Sequence, residues 1–160
     1  MSDTHKGIEL GKLAGLAELG QLYQAADSVA ATALVAANFV FWSGSSKGLA
    51  VRLISARVIA SLPLAATFGT VLADPALTAG NGAINLRLGD AAAQAFDEAQ
   101  AVAATTITKI LGVPQLIAGT EVELISPGGI YLPPNSGVAI VTALVAATVS
   151  VVWLWAEVPV

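Results

Sequence analysis

Val138-Ala139-Ile140-Val141-Thr142-Ala143-Leu144-Val145-Ala146-Ala147-Thr148-Val149-Ser150-Val151-Val152-Trp153-Leu154-Trp155-Ala156 is a run of 19 residues without a charge, which must be either a buried pair of strands or a membrane helix. Its length is close to what a helix needs to cross a bilayer. Three features favour strands instead. The run holds Val, Ile, Thr and Ser more than Leu and Phe, and Pro133-Pro134-Asn135-Ser136-Gly137 before it is a strand-initiating turn. No Lys or Arg follows it, and the nearest upstream is Lys109, so the basic flank that fixes a span's orientation is missing. Thr142, Thr148 and Ser150, with Ala146-Ala147 between, divide it into two strands of ordinary length. Val149, Val151, Trp153 and Trp155 then share one face, and Ser150, Val152, Leu154 and Ala156 the other. Two dry faces imply a central strand or one at a subunit interface.

Composition points the same way. Hydrophobic residues make up 56% of the 160 residues and charged residues 11%, against about 25% in an average soluble domain. The length suits one domain, and so little charge predicts that neighbouring subunits or lipid cover apolar patches. The seven Lys and Arg are scattered singly and the net charge is -4, so no basic stripe exists for nucleic acid. Cysteine is absent, which removes disulfides and thiolate chemistry. Met1-Ser2-Asp3-Thr4-His5-Lys6 is polar and lacks the apolar block of a secretory signal.

Toward the N-terminus, Leu10, Leu13, Leu16, Leu19 and Leu22 recur every third residue between glycines. That step spreads them around a helix without making one face, which predicts an N-terminal arm over 1–28; a short helix from about Lys12 to Ala25 is the competing reading. Residues 29–160 are expected to form the sandwich domain. Ala33 to Trp42, the turn Ser43-Gly44-Ser45-Ser46-Lys47-Gly48 and Leu49 to Ile59 read as a hairpin. On its return strand Arg57 shares the parity of Val51, Leu53 and Ile59, which implies a local exception or a bulge. Thr67 to Leu72 reads as a strand, and after the turn Asn81-Gly82 so does Ala83 to Leu88, with Ile84, Leu86 and Leu88 on one face. Asp90 followed by Ala91 to Gln100 reads as an N-capped helix. Thr105 to Ile110, Glu121 to Ile125 and a terminal hairpin complete about eight strands. The fold expected is all-β: an antiparallel β-sandwich of jelly-roll type with an N-terminal arm and one short helix.

Candidate chemistry is thin. The single histidine, His5, lies in the polar tip, so a Ser-His-Asp arrangement has no support. Asp90, Asp97 and Glu98, and the pair Glu121 and Glu123, match no calcium loop and read as caps and solvated faces. Gly44-Ser45-Ser46-Lys47-Gly48 lacks the spacing of a phosphate loop. Trp42, Trp153 and Trp155 could stack sugars or bases, but apolar neighbours favour a core or an oligomer interface. The expectation is no enzyme, no cofactor and no metal, with Leu10, Leu13, Leu16, Leu19, Leu22, Trp42, Trp153 and Trp155 as interface residues.

Two fragments, Asn38 to Arg52 and Tyr131 through Pro159, resemble small structural proteins of tailed-phage virions, among them jelly-roll decoration (cement) proteins of the capsid. The resemblance covers about a third of the chain and rests on no diagnostic motif. It implies a viral protein of the virion, assembled in the host cytoplasm, that binds the outer surface of a bacteriophage head. Its partners would be the major capsid protein and itself, as a homotrimer or homodimer, and it would act by clamping neighbouring subunits through repeated contacts. The alternatives are a phage fibre or receptor-binding module and a small membrane protein with a C-terminal anchor.

Overall fold

Alternating apolar residues build strands from Leu22 to Pro159. A computed structural model describes residues 12–17, 19, 21–44, 49–78, 80, 82–86, 92–126 and 128–159. The strands are β1 (Leu22–Ala30), β2 (Ala36–Trp42), β3 (Leu49–Ala60), β4 (Leu64–Val71), β5 (Ile84–Asn85), β6 (Phe96–Val102), β7 (Lys109–Gly112), β8 (Gln115–Leu116), β9 (Val122–Glu123), β10 (Ile130–Leu132), β11 (Gly137–Thr142) and β12 (Thr148–Pro159). A short helix, α1 (residues 12–17), precedes them.

The first sheet runs β10-β3-β12-β1-β5 with β9 also on β3, and the second runs β6-β2-β11-β4-β7 with β8 also on β4. All these pairings are antiparallel. Counting β7/β8 as one broken edge strand and β9/β10 as another leaves eight positions, ordered 1-8-3-6 and 2-7-4-5. This is the interlocked double Greek key of a jelly roll. Segments β5 and β6 belong to an excursion from β4 that extends both sheets at their β1/β2 side.

The expected hairpins are corrected by this order. Strand β2 pairs with β6 and β11 while β3 pairs with β10 and β12, and β11 and β12 likewise lie in different sheets. Turn residues report that a chain reverses, but not whether it returns beside itself or arches to the facing layer. Residues 22–28, expected in the arm, lie in the sandwich instead, because β1 is paired with β12 from Leu22 to Ala30. Residues 92–100 hold no helix, and β6 pairs along all of β2 from Phe96↔Trp42 to Val102↔Ala36. Its Ala, Gln and Glu favour helix, but an open sheet edge of seven residues overrides that preference. Among the described residues the helix is α1, and the cap expected at Asp90 lies outside them. At β5 the expected parity is reversed: Asn85 is buried while Ile84 and Leu86 are exposed.

The parity break in β3 is a bulge. Trp155 pairs with Leu53 while Leu154 pairs with Ser55, so Ile54 is the extra residue. Val51 and Leu53 before it, and Ala56, Val58 and Ala60 after it, all face the core, and Ile59 faces out.

Between the sheets, β12 contributes Val149, Val151, Trp153 and Trp155, each fully buried. Phe41 lies 5.7 Å from the Trp153 ring and 4.9 Å from Trp155, and Tyr23 stacks on Trp155 at 5.8 Å. These contacts join β1, β2 and β12 across the layers, and each adds about 0.5–1.5 kcal/mol beyond burial. Outside the second sheet, Ala36, Val40, Trp42, Val71, Ala139 and Val141 form a separate apolar cluster, covered by Leu77 and Ile107. The chain's own excursion thus does part of what low charge was expected to demand of subunits or lipid. Its backbone passes so close to β4 that a Cβ on Gly69 would collide with Ile107 and with the Lys109 carbonyl. Residues 138–156 form two strands in two sheets, which removes the helical anchor; no helix of the described residues is long and apolar enough to cross a membrane.

The two core indoles differ in one bond. Trp155 Nε1 donates to Glu157 Oε1 at 3.1 Å, whereas Trp153 Nε1 is buried without an acceptor. Trp153→Phe and Trp155→Phe remove similar volume, so the difference between them isolates that hydrogen bond. Trp155→Phe is expected to cost about 1–3 kcal/mol more in urea unfolding, and equal midpoints would refute the assignment.

Candidate functional site

The chemistry-bearing side chains that the fold brings together are carboxylates. Glu157 follows the inward parity of Trp155 and is buried at the end of β12. Its Oε1 accepts from Gln94 N at 2.9 Å and Ala95 N at 2.8 Å, and Oε2 accepts from Gln94 N at 3.0 Å. It therefore fastens the segment entering β6 to the central strand of the opposite sheet. Glu123 does comparable work at the bulge, where it accepts from Ser55 Oγ, from Ala56 N at 2.9 Å and from Ile125 N at 3.0 Å. Glu121 makes an exposed ion pair with Arg57 at 3.4 Å, a contact worth little in water.

Asp97 and Glu98 were expected on a solvated face, and both are buried. They point to opposite sides of β6. Glu98 accepts from Leu77 N at 3.0 Å, and burial raises its pKa, with nearby Asp74 pushing the same way. Asp97 meets Asp27 of β1. Burial, then the hydrogen bond and charge of Asp27, push the Asp97 carboxyl from 3.8 up to about 8. At neutral pH Asp97 therefore holds its proton beside the Asp27 side chain. Gly80 closes over the pair: its N donates to Asp97 O at 3.0 Å, and a Cβ there would collide with both carboxylates.

Two carboxyls sharing a proton can run acid/base chemistry when a substrate reaches them. Here Asp97 is 2% exposed and Asp27 8%, and Gly80 lies on top. A cavity of about 290 Å³ lies elsewhere, between α1 and the outer side of β3. Leu13, Leu16, Ile54 and Ile125 line it, with Lys12, Arg52 and Glu123 at its polar side. Arg52 donates Nε to Gly128 O at 2.9 Å and sits 5.5 Å over the ring of exposed Tyr131. Among the described residues no group of three or more His, Asp or Glu is placed to hold a metal.

The residues expected at an interface are dispersed. Leu13 and Leu16 are half-buried against the cavity, Leu19 is exposed, and Leu10 and His5 lie outside the described residues. Leu22 is in the core, Trp42 is buried in the cluster outside the second sheet, and Trp153 and Trp155 are 0% exposed within one chain. The three tryptophans are thus buried within one chain: β1 and β3 flank β12 and the second sheet closes its inner face over Trp153 and Trp155, while Leu77 and Ile107 cover the cluster that holds Trp42. The buried acids were missed. A lone acid that keeps the parity of buried neighbours, as Glu157 does with Trp155, was a legible signal; the meeting of Asp27 with Asp97 was not. The chain matches no protein-family model, no curated protein and no solved structure.

The acid pair predicts a pH dependence. With Asp97 raised from 3.8 to about 8, the native state keeps a proton that the unfolded chain releases between those values. Its stabilisation is fully present below about pH 4 and is lost as pH rises through about 8. The urea midpoint should fall between about pH 5 and about pH 9, and Asp97→Asn, neutral throughout, should flatten most of that fall. An unchanged slope in the variant would place the titrating group elsewhere.

Proposed function

We propose that this chain is a structural virion protein, a decoration (cement) protein that binds and stabilises a phage head lattice as a homo-oligomer. The observation that carries the reading is where the fold spends its polar groups. Glu157, Glu123, Glu98 and the Asp27–Asp97 pair hold backbone segments or one another, while large aliphatic side chains are left on loop tips. A fold stiffened in this way and apolar at its tips suits a part that is held in place by many repeated contacts. The jelly-roll strand order agrees with the resemblance in Asn38 to Arg52 and Tyr131 to Pro159. The major capsid protein is the partner this reading requires, and the outer face of the head its location.

Against the fibre or receptor-binding alternative, Trp42, Trp153 and Trp155 are buried and offer no platform for a glycan. Particles lacking the protein should release their genome at lower temperature than complete ones. Adding back the purified chain should restore them, with host adsorption unchanged throughout. Adsorption lost from heads of normal stability would overturn the proposal in favour of the fibre module.

A further inference from the structure

Among the described residues, four connections at one end of the sandwich carry no charge. The connections 31–35, 61–63, 117–120 and 143–147 contain only Ala, Val, Leu, Ile, Pro, Gly, Ser and Thr. Backbone bonds hold them side by side: Ala31 N donates to Ala147 O at 2.9 Å, Ser61 N to Thr148 O at 2.9 Å and Gly119 N to Ala60 O at 2.8 Å. Each presents an aliphatic tip to solvent, with Leu34 87% exposed, Ile117 63%, Leu144 57% and Leu62 46%. The nearest charges to Ile117 along the chain are Lys109 and Glu121, and Glu121 is already paired with Arg57.

We infer that this uncharged loop end is a self-association surface, on which a second copy of the chain docks end to end about a two-fold axis. The inference rests on the homo-oligomeric part of the proposed function. Near a two-fold axis each residue faces its own counterpart, so any charge there would meet a like charge; these four loops have none to remove. Acidic lipid is the poorer occupant, because these loops hold no Lys or Arg and the chain carries a net charge of -4. Fifteen residues of the four loops are exposed or half-exposed. At the roughly 30–40 Å² per residue of ordinary interfaces they cover about 500 Å² per copy, and about 1,000 Å² in a pair, the lower limit for a specific contact. The dimer should therefore be weak, with a dissociation constant in the micromolar range.

Sedimentation velocity of the full chain, without capsids, from about 1 to about 200 µM spans that range. The expected result is a monomer that becomes a dimer with concentration. The double variant Leu34→Lys with Leu144→Lys should stay monomeric, with unchanged circular dichroism and urea midpoint because both side chains are exposed. Leu72→Lys, an exposed position at the opposite end of β4, should dimerise as the parent does. A parent chain that stays monomeric, a trimer, a dimer that survives the double variant, or a monomer that floats with phosphatidylcholine vesicles through Leu34 and Leu144 would each overturn it. Since no particle is present, such a failure leaves lattice binding to be judged separately.

Discussion

Strand β12 is the constraint on which the rest depends. It is paired along one edge with β1 from Thr148 to Ala156 and along the other with β3 from Val149 to Pro159. A strand whose two edges are both occupied has no open backbone to offer a partner, and its inward residues must fill the space between the sheets. Trp153 and Trp155 do so against Phe41 of the facing layer, which sets where the two sheets meet. The bulge at Ile54 follows from the same strand. Twelve residues of β3 must track β12 while keeping Val51, Leu53, Ala56, Val58 and Ala60 inward, and one extra residue restores the parity that Arg57 would otherwise break.

The excursion between β4 and β7 solves a second problem. Strands β2 and β11 are apolar on both faces, so a two-layer sandwich alone would leave Val40, Trp42, Ala139 and Val141 in water. Leu77 and Ile107 of the excursion cover them. Loops laid over a sheet bring backbone amides that lack a ladder, and side chains supply the acceptors. Leu77 N goes to Glu98, Thr78 N to Gln100 at 3.3 Å and Thr105 N to Asn38 Oδ1 at 2.7 Å. Asn38, Glu98 and Gln100 thus sit where irregular backbone crosses buried surface.

This division explains what the sequence made legible. Period-two patterning in Val149 to Trp155 identified a strand with a core face, because every second residue is large and apolar. Arg57 announced the bulge because a charge cannot follow Leu53 into the core. Pairing partners were not legible: Ser43-Gly44 and Pro134-Asn135 are turns whether the chain makes a hairpin or an arch, and the difference is set by strands far away in sequence. Phe96 to Val102 misled for the same reason, since its helix-forming residues become a strand only beside β2. The acid pair was hidden because Asp27 and Asp97 lie 70 positions apart, and each alone resembles an ordinary surface residue.

That pair shows a tension in the design. Two carboxyl groups are a poorer way to fill buried space than two aliphatic groups, because desolvation opposes any charge they carry. What the pair supplies is register. Asp97 can meet Asp27 only when β6 lies beside β2 with Phe96 opposite Trp42, and a slip of one residue would turn Asp97 to the other face of its sheet. An edge strand of Ala, Gln and Glu has little side-chain packing to fix its position by itself. The contact, roofed by Gly80, marks the one alignment in which the two acids meet, and the strand that covers the open side of the sandwich is held there at some cost in stability.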